Sequence, residues 1–496
     1  MTHPAQDPAP RSSATTPIVP GFHPDPSICR GPDAFYLAHS TFEYSPGVPI
    51  WRSEDLVSWE LIGHALTRDS QFPAGTVGAN LGVYAPTLRF HDGRFWMITT
   101  NVVGGDGGQM LVTTDDPRGE WSDPVSIPAS PGIDPDIAWD VDGGCYVTWS
   151  GTYEGHGAIM QVDVDPATGA LLSEPRKLWS GTGMSHPEAP HLIRQGDDWY
   201  LLIAEGGTER GHSVSIARAD NPRGPFDGCP ANPILSHRST PHPVQNTGHA
   251  DLVETSEGEW AMVYLAVRPR GTTPGFHVNG RETFLAGVTW EDGWPVVNEG
   301  AFTVPAPATS FEDRFEGDRR DLRWISPSAR LETFTAPHPQ GGLEISPSQT
   351  EPLPAFLAAR CLDPYWTAQA DVDPQAGTAE LRVHSDGRHW YAVRASASAV
   401  QLVARIGDLE TVVTSIERAA GGPLTLRAAA VEATTAGPDD LAFWVIDGGE
   451  ETSLGRLDGR YLSTEVAGGF TGRVWGVRAI DAPVRVLRMT YDAAGA

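Results

Sequence analysis

Apolar residues in this chain fall in short β-branched and aromatic runs, and no long stretch repeats them at helical spacing. From about Pro17 to Pro305 these runs alternate with DG, GG and NP turn signals, which predicts strands joined by tight connections. Five of the runs, FYLAHS, FWMITT, CYVTWS, WYLLIA and WAMVYL, start at Phe35, Phe95, Cys145, Trp199 and Trp260, so successive starts lie 60, 50, 54 and 61 residues apart. Ahead of each, by 10, 10, 11, 11 and 11 residues, stands a marker: Asp25 in GFHPDPSI, Ala85 in GVYAPTLRF, Asp134 in GIDPDIAWD, Glu188 in SHPEAPHLI and His249 in TGHADLVE. A unit recurring at this period in an all-β sequence predicts a propeller with one blade per repeat. Five blades around an axis would bring the five markers to one place.

The pattern changes past AFTVPAPATSFEDRF, whose Pro and Ala content reads as a hinge between domains. Beyond it LRVHSDGRHWYAVRAS, VQLVARIG, LAFWVIDGG and RVWGVRAI alternate in polarity, which predicts an antiparallel β-sandwich over 306–496. RAAAVEATTAG has the composition of a helix but is read as a strand followed by a loop. Trp366, Trp390, Tyr391, Trp444 and Tyr461 are read as core of this domain. Residues 1–16, rich in Pro, Ser, Thr and Ala, are expected to be a disordered tail. The fold class is therefore all-β, a five-bladed β-propeller over 17–305 followed by the sandwich, and 496 residues is too long for one ordinary core.

Composition narrows the function. With 40% apolar and 20% charged residues the chain is globular, and 16 Trp, 11 Tyr and 16 Phe suit both strands and the stacking of sugar rings in a cleft. A net charge of −28 repels nucleic acid and anionic membranes, discourages polyanionic substrates and favours a neutral one. Cys29, Cys145, Cys229 and Cys361 are far apart and form no C-x-x-C pair, so neither a disulfide framework nor a zinc site is expected. No apolar stretch is long enough to span a membrane and no secretory signal opens the sequence, so a cytoplasmic location is expected. No nucleotide loop or H-E-x-x-H motif is present, so no organic cofactor is required. The expected partner is a small oligosaccharide, with neither nucleic acid nor membrane, and a homo-oligomer is left open.

Three of the five markers are acids. Asp25, Asp134 and Glu188 would face a shared pocket in blades one, three and four, and like charges that close raise at least one pKa. A site holding an ionised carboxylate beside a protonated one has the parts for glycoside hydrolysis, in which one acid protonates the leaving oxygen and one carboxylate activates water or attacks carbon. His249 at the fifth marker is placed to plug the channel, bonding a water or a cation such as calcium; Arg281, in GRETFLAGVTW, is placed to hold one carboxylate ionised and to donate to a sugar hydroxyl.

The blocks PGFHPDPSICR, STFEYSPGVPIWRSEDLVSWELIGHAL, GVYAPTLRFHDGRFWMITTN, GIDPDI, PEAPHL, IAEGGTERGHSVSIAR, GHADLVE, GRETF and EDGWPVV resemble glycoside hydrolase family 43, in the β-xylosidase group with a C-terminal sandwich. That resemblance implies a concanavalin-like jelly roll after the propeller and an inverting, single-displacement hydrolysis. It implies Asp25 as general base, Glu188 as general acid and Asp134 as the residue that tunes and orients the acid. Phe42 in STFEY and Arg281 would line the pocket of the terminal sugar, with Tyr84 where related xylosidases often carry Trp. The segment TTPGFHVN between VRPRG and GRET is shorter than in many relatives. The expected activity is exo release of D-xylose from the non-reducing end of β-1,4-xylo-oligosaccharides. α-L-Arabinofuranosidase or bifunctional activity is the alternative, and a retaining fructan-cleaving enzyme or a non-catalytic sugar-binding propeller are the other classes weighed.

Overall fold

The computed structural model describes residues 11–102, 108–128, 131–317, 320–348, 353–418 and 421–494. Five antiparallel sheets follow one another along the first part of the chain. Their innermost strands are Ser27–Arg30, Gly82–His91, Ile133–Trp139, Glu188–Gln195 and Gln245–Glu254. The second strands, Phe35–Ala38, Arg94–Val102, Cys145–Tyr153, Asp198–Glu205 and Trp260–Val267, are the five aromatic runs of the sequence repeat. Each pair of adjacent blades buries its own apolar cluster. Tyr36, Val48 and Trp121 lie between blades one and two, Ile98 and Trp149 between two and three, and Tyr146 and Leu201 between three and four. Tyr264 and Leu202 lie between four and five, and Leu285 and Leu37 close the ring. A blade must bury both faces, which is why Trp260–Val267 is buried at every position rather than alternating.

The start of the chain helps to close the circle. Arg11–Ser12 pair with Thr303–Val304, Val19 bridges Thr283, and Ser13 accepts from Phe302 N–H at 3.3 Å. The expected disordered tail is thus corrected over residues 11–16, whose backbone is held by the far end of the propeller; residues 1–10 lie outside the described residues.

Two sheets of eight and six strands form the second domain, with Trp366, Trp475, Phe443, Leu381 and Tyr491 among the residues between them. Leu424–Val431, which takes in the RAAAV part of the Ala-rich segment, is a strand, and the rest of the segment is a loop. Trp366, Trp390 and Tyr391 are buried as expected, whereas Trp444 is half-buried and Tyr461 is exposed. The link between domains is not a free hinge. Ser326–Pro327 pair with Tyr44–Ser45 of the propeller, and Phe22, Tyr44, Ile325, Phe356, Ala358 and Val474 form a shared apolar cluster. Arg360 Nε donates to Phe22 O at 2.9 Å, and Arg270 pairs with Asp439 at 3.1 Å. No helix among the described residues is long and apolar enough to cross a membrane.

Candidate active site

A backbone device lies behind the sequence repeat. The strand register shifts between Val83 and Pro86, Ile133 and Asp136, Glu188 and His191, and Gly248 and Asp251, so each of these inner strands carries a bulge at its marker. Asp25, Asp134, Ala189 and His249 have positive φ of 55°, 56°, 52° and 43°. Such a bulge re-aims the side chain out of strict alternation, here toward the axis, and left-handed backbone at non-glycine residues is characteristic of functional sites. The three acids meet as predicted: Glu188 and Asp25 both bear electrostatically on Asp134, and Asp25 bears on Glu188.

Their environments push them apart. Asp25 is buried, which opposes ionisation, yet Arg281, His249 and Ser40 together hold its carboxyl below the usual range. Arg281 Nη1 donates to Asp25 Oδ1 at 2.9 Å, His249 Nδ1 lies 3.4 Å from the same oxygen, and Ser40 Oγ donates to Oδ2. At Glu188 burial first, then the Asp25 charge, outweigh the opposing charge of Arg281 and raise it to about 7. Asp134 is raised as well, by burial and by the charges of Glu188 and Asp25, against which the Ala189 N–H at 3.3 Å and the charge of Arg281 favour its ionised form. His212 donates from Nδ1 to Asn246 O at 3.1 Å and is kept neutral by burial, its pKa lowered to about 4. That tautomer turns the Nε2 lone pair toward Glu188 Oε1, 3.9 Å away, a setting that suits a protonated carboxyl.

The remaining expected residues surround this pair. Phe42, with φ 51° and both its N–H and C=O bonded to Val83, is fixed in place. Its ring lies 5.4 Å from that of Tyr84. Tyr84 spends its hydroxyl on Asn80 O at 3.0 Å. His249 meets Asp25 rather than the open cavity, and burial lowers its pKa to about 3. A neutral imidazole can ligate a cation; among the described residues no group of three or more His, Cys, Asp or Glu gathers beside it.

Three features escaped the sequence reading. Phe470 of the sandwich domain stacks on Phe42 at 5.4 Å with an interplanar angle of 21°, and Arg281 sits 5.6 Å from the centre of each ring. Thr208 accepts from Arg281 Nη1 at 3.1 Å. With Arg281, Thr208 and Phe470 line a cavity of about 580 Å³ between the domains. Beneath the acids, a second ring is built from Ser27, Asp136, His191 and Asp251, which stand two or three residues after their markers. Arg89 ties this ring together, meeting Asp136 at 2.8 Å, Asp251 at 2.7 Å and His191 at 2.9 Å. The D-x-D and H-x-D spacings in GIDPDI and GHADL carried that signal; Thr208 stands within the block IAEGGTERGHSVSIAR but was not singled out, and Phe470 lies outside the quoted blocks.

The protein-family model described as Glycosyl hydrolases family 43 matches residues 14–295. The chain is 38% identical to the non-reducing end α-L-arabinofuranosidase BoGH43B of Bacteroides ovatus, over 93% of this chain and 90% of that protein. It is 46% identical to a xylosidase/arabinosidase of Butyrivibrio fibrisolvens over 58% of this chain and 57% of that one. The solved structure titled Bacteroides ovatus Xyloglucan PUL GH43B superposes with a TM-score of 0.88 at 34% identity, covering 97% of this chain and 99% of that one.

Proposed function

Because the chain belongs to glycosyl hydrolase family 43, we propose that it is an exo-acting, inverting enzyme that releases D-xylose from the non-reducing end of β-1,4-xylo-oligosaccharides. The observation that carries this reading is the split between two neighbouring acids: Asp25 ionised by Arg281, Glu188 protonated up to about pH 7. Asp25 accepts a proton from water as the water oxygen attacks the anomeric carbon. Glu188 gives its proton to the glycosidic oxygen as that C–O bond breaks, on the opposite side of the ring. Asp134, electrostatically linked to Glu188, orients the acid, and Arg281 and the Phe42–Phe470 pair seat the sugar. Exchange of protons with solvent restores both acids, so the cycle needs no organic cofactor.

α-L-Arabinofuranose is the second reading, favoured by the relative matched along nearly its whole length. Rates on 4-nitrophenyl β-D-xylopyranoside and α-L-arabinofuranoside decide between them. A preference of about a hundredfold for the arabinoside, roughly 2.7 kcal/mol of transition-state binding, reverses the order. Proton NMR of the first-formed sugar tests the stereochemistry, and a retained anomer overturns the roles given to Asp25 and Glu188.

A further inference from the structure

Asn80 lies in the connection between blades one and two and touches neither catalytic acid, yet it is held at several points. Its N–H donates to Glu43 Oε2 at 3.0 Å, and its carbonyl accepts from the Tyr84 hydroxyl at 3.0 Å. Its side-chain Oδ1 accepts from the backbone N–H of Phe470 at 2.8 Å, across the domain boundary. The backbone at Asn80 is left-handed, with φ 61°. Facing it, Gly468 and Gly469 also have positive φ, 79° and 90°, and a Cβ on Gly469 would stand 2.4 Å from Asn80 Oδ1. The sandwich-domain loop therefore closes onto the Asn80 amide without room for a side chain between them.

From Phe470 the contacts continue into the site. Its carbonyl accepts from Arg281 Nη2 at 3.3 Å, while Arg281 Nη1 donates to Asp25 Oδ1 at 2.9 Å. Among the described contacts Asn80 and Arg281 are thus the side chains that grip the Phe470 backbone, one at its N–H and one at its carbonyl. Two successive positive-φ glycines leave this loop free to adopt many backbone conformations unless something pins it. We infer that Asn80 is a positioning residue of the pocket: its amide latches the Gly468–Phe470 loop against the propeller, so that Phe470 closes on the sugar and Arg281 stays on Asp25.

Glu43 anchors the latch in turn. It is buried, and Ser328 N–H donates to its backbone carbonyl at 2.9 Å, so the same turn that presents Phe42 carries the sandwich linker and the Asn80 backbone. One short segment, Phe42–Glu43, thereby registers the two domains at the pocket.

Asn80→Gly is the direct test, because glycine suits the left-handed backbone and only the amide is removed. Hydrogen exchange of the peptide containing Phe470 should accelerate at least about fivefold, with a blade-three peptide unchanged. This readout needs no activity and so tests the latch alone, while hydrolysis of either aryl glycoside by the wild type tests the functional reading on which the kinetic arm rests. In that arm KM should rise roughly tenfold and the acid limb of kcat/KM should move to higher pH, since Arg281 is loosened from Asp25. Phe470→Ala should raise KM as well, and the double variant should lose less than the product of the two single effects. Unchanged exchange overturns the inference. So does a lower melting temperature with KM and the acid limb unmoved, or fully multiplicative effects in the double variant.

Discussion

Replacing Arg281 by Met removes the positive charge beside Asp25 while keeping a side chain of similar reach. Burial is the largest influence on the Asp25 carboxyl and acts to raise it; Arg281 is the largest influence opposing it. At 2.9 Å the pair is in direct contact, and a unit charge at that range lowers a carboxyl by roughly 1–3 pKa units, each unit about 1.4 kcal/mol. Without Arg281, burial is opposed only by His249, Ser40 and His212, so Asp25 should climb from below 3.8 to above it. The acid limb of kcat/KM, which reports ionisation of the base in the free enzyme, should move up by about 1–3 units. Arg281 also lowers Glu188, so the alkaline limb should move up from about pH 7 rather than down. The assay is kcat/KM from pH 3.5 to 9 on an aryl glycoside whose aglycone does not titrate in that range. Loss of a sugar contact alone would lower the plateau without moving either limb, so limb position separates the two roles of Arg281. A lowered plateau with an unmoved acid limb would refute the reasoning, because Asp25 would then owe its ionisation to something else or would not be the base.

Glu188→Gln should change stability in a pH-dependent way. The wild-type group binds its proton more tightly folded than unfolded, so wild-type stability declines as pH rises from about 4.5 toward 7, and the variant should lack that decline. Denaturant titrations should show a gain on the order of 3 kcal/mol for the variant at pH 8 and none at pH 4. Glu188→Ala should lose orders of magnitude on xylobiose but far less on an aryl glycoside with an activated leaving group, which needs no proton; equal losses on both would remove Glu188 from the acid role. Arg89→Met should strip the lower ring of its only positive charge among the described contacts and leave Asp136 and Asp251 buried and uncompensated. Urea unfolding should register a loss of about 3–5 kcal/mol, and a variant as stable as wild type would show that Arg89 does not hold the axis together.

The architecture was readable because a propeller repeats one physical problem five times. Each blade needs an apolar second strand buried on both faces, and each of these strands is preceded by a short turn, so spacing alone located all five. Asp25, Asp134 and Glu188 were legible for the same reason: each stands 10 or 11 residues ahead of the buried second strand of its blade. Arg89, Asp136, His191 and Asp251 fell outside that reading, since a second layer at the axis follows from the i, i+2 geometry of the inner strands only once those strands are placed. Phe470, Thr208 and Asn80 were not singled out, for a different reason. Their contacts with the site arise between segments up to 390 residues apart, and no local pattern encodes a contact at that separation. Residues 11–16 were misjudged because polar, small-residue composition says nothing about whether a distant edge strand offers its backbone as a partner.

The stacking of Phe470 on Phe42 has a consequence for how such proteins diversify. The chemistry is carried by one module, but the ceiling of its sugar chamber is lent by the other. Exchanging the sandwich for a homologous one would leave the reacting groups untouched and still redraw the shape that a pentose must fit. New sugar preferences can therefore arise by recombination at the interdomain boundary, without a single substitution among the acids.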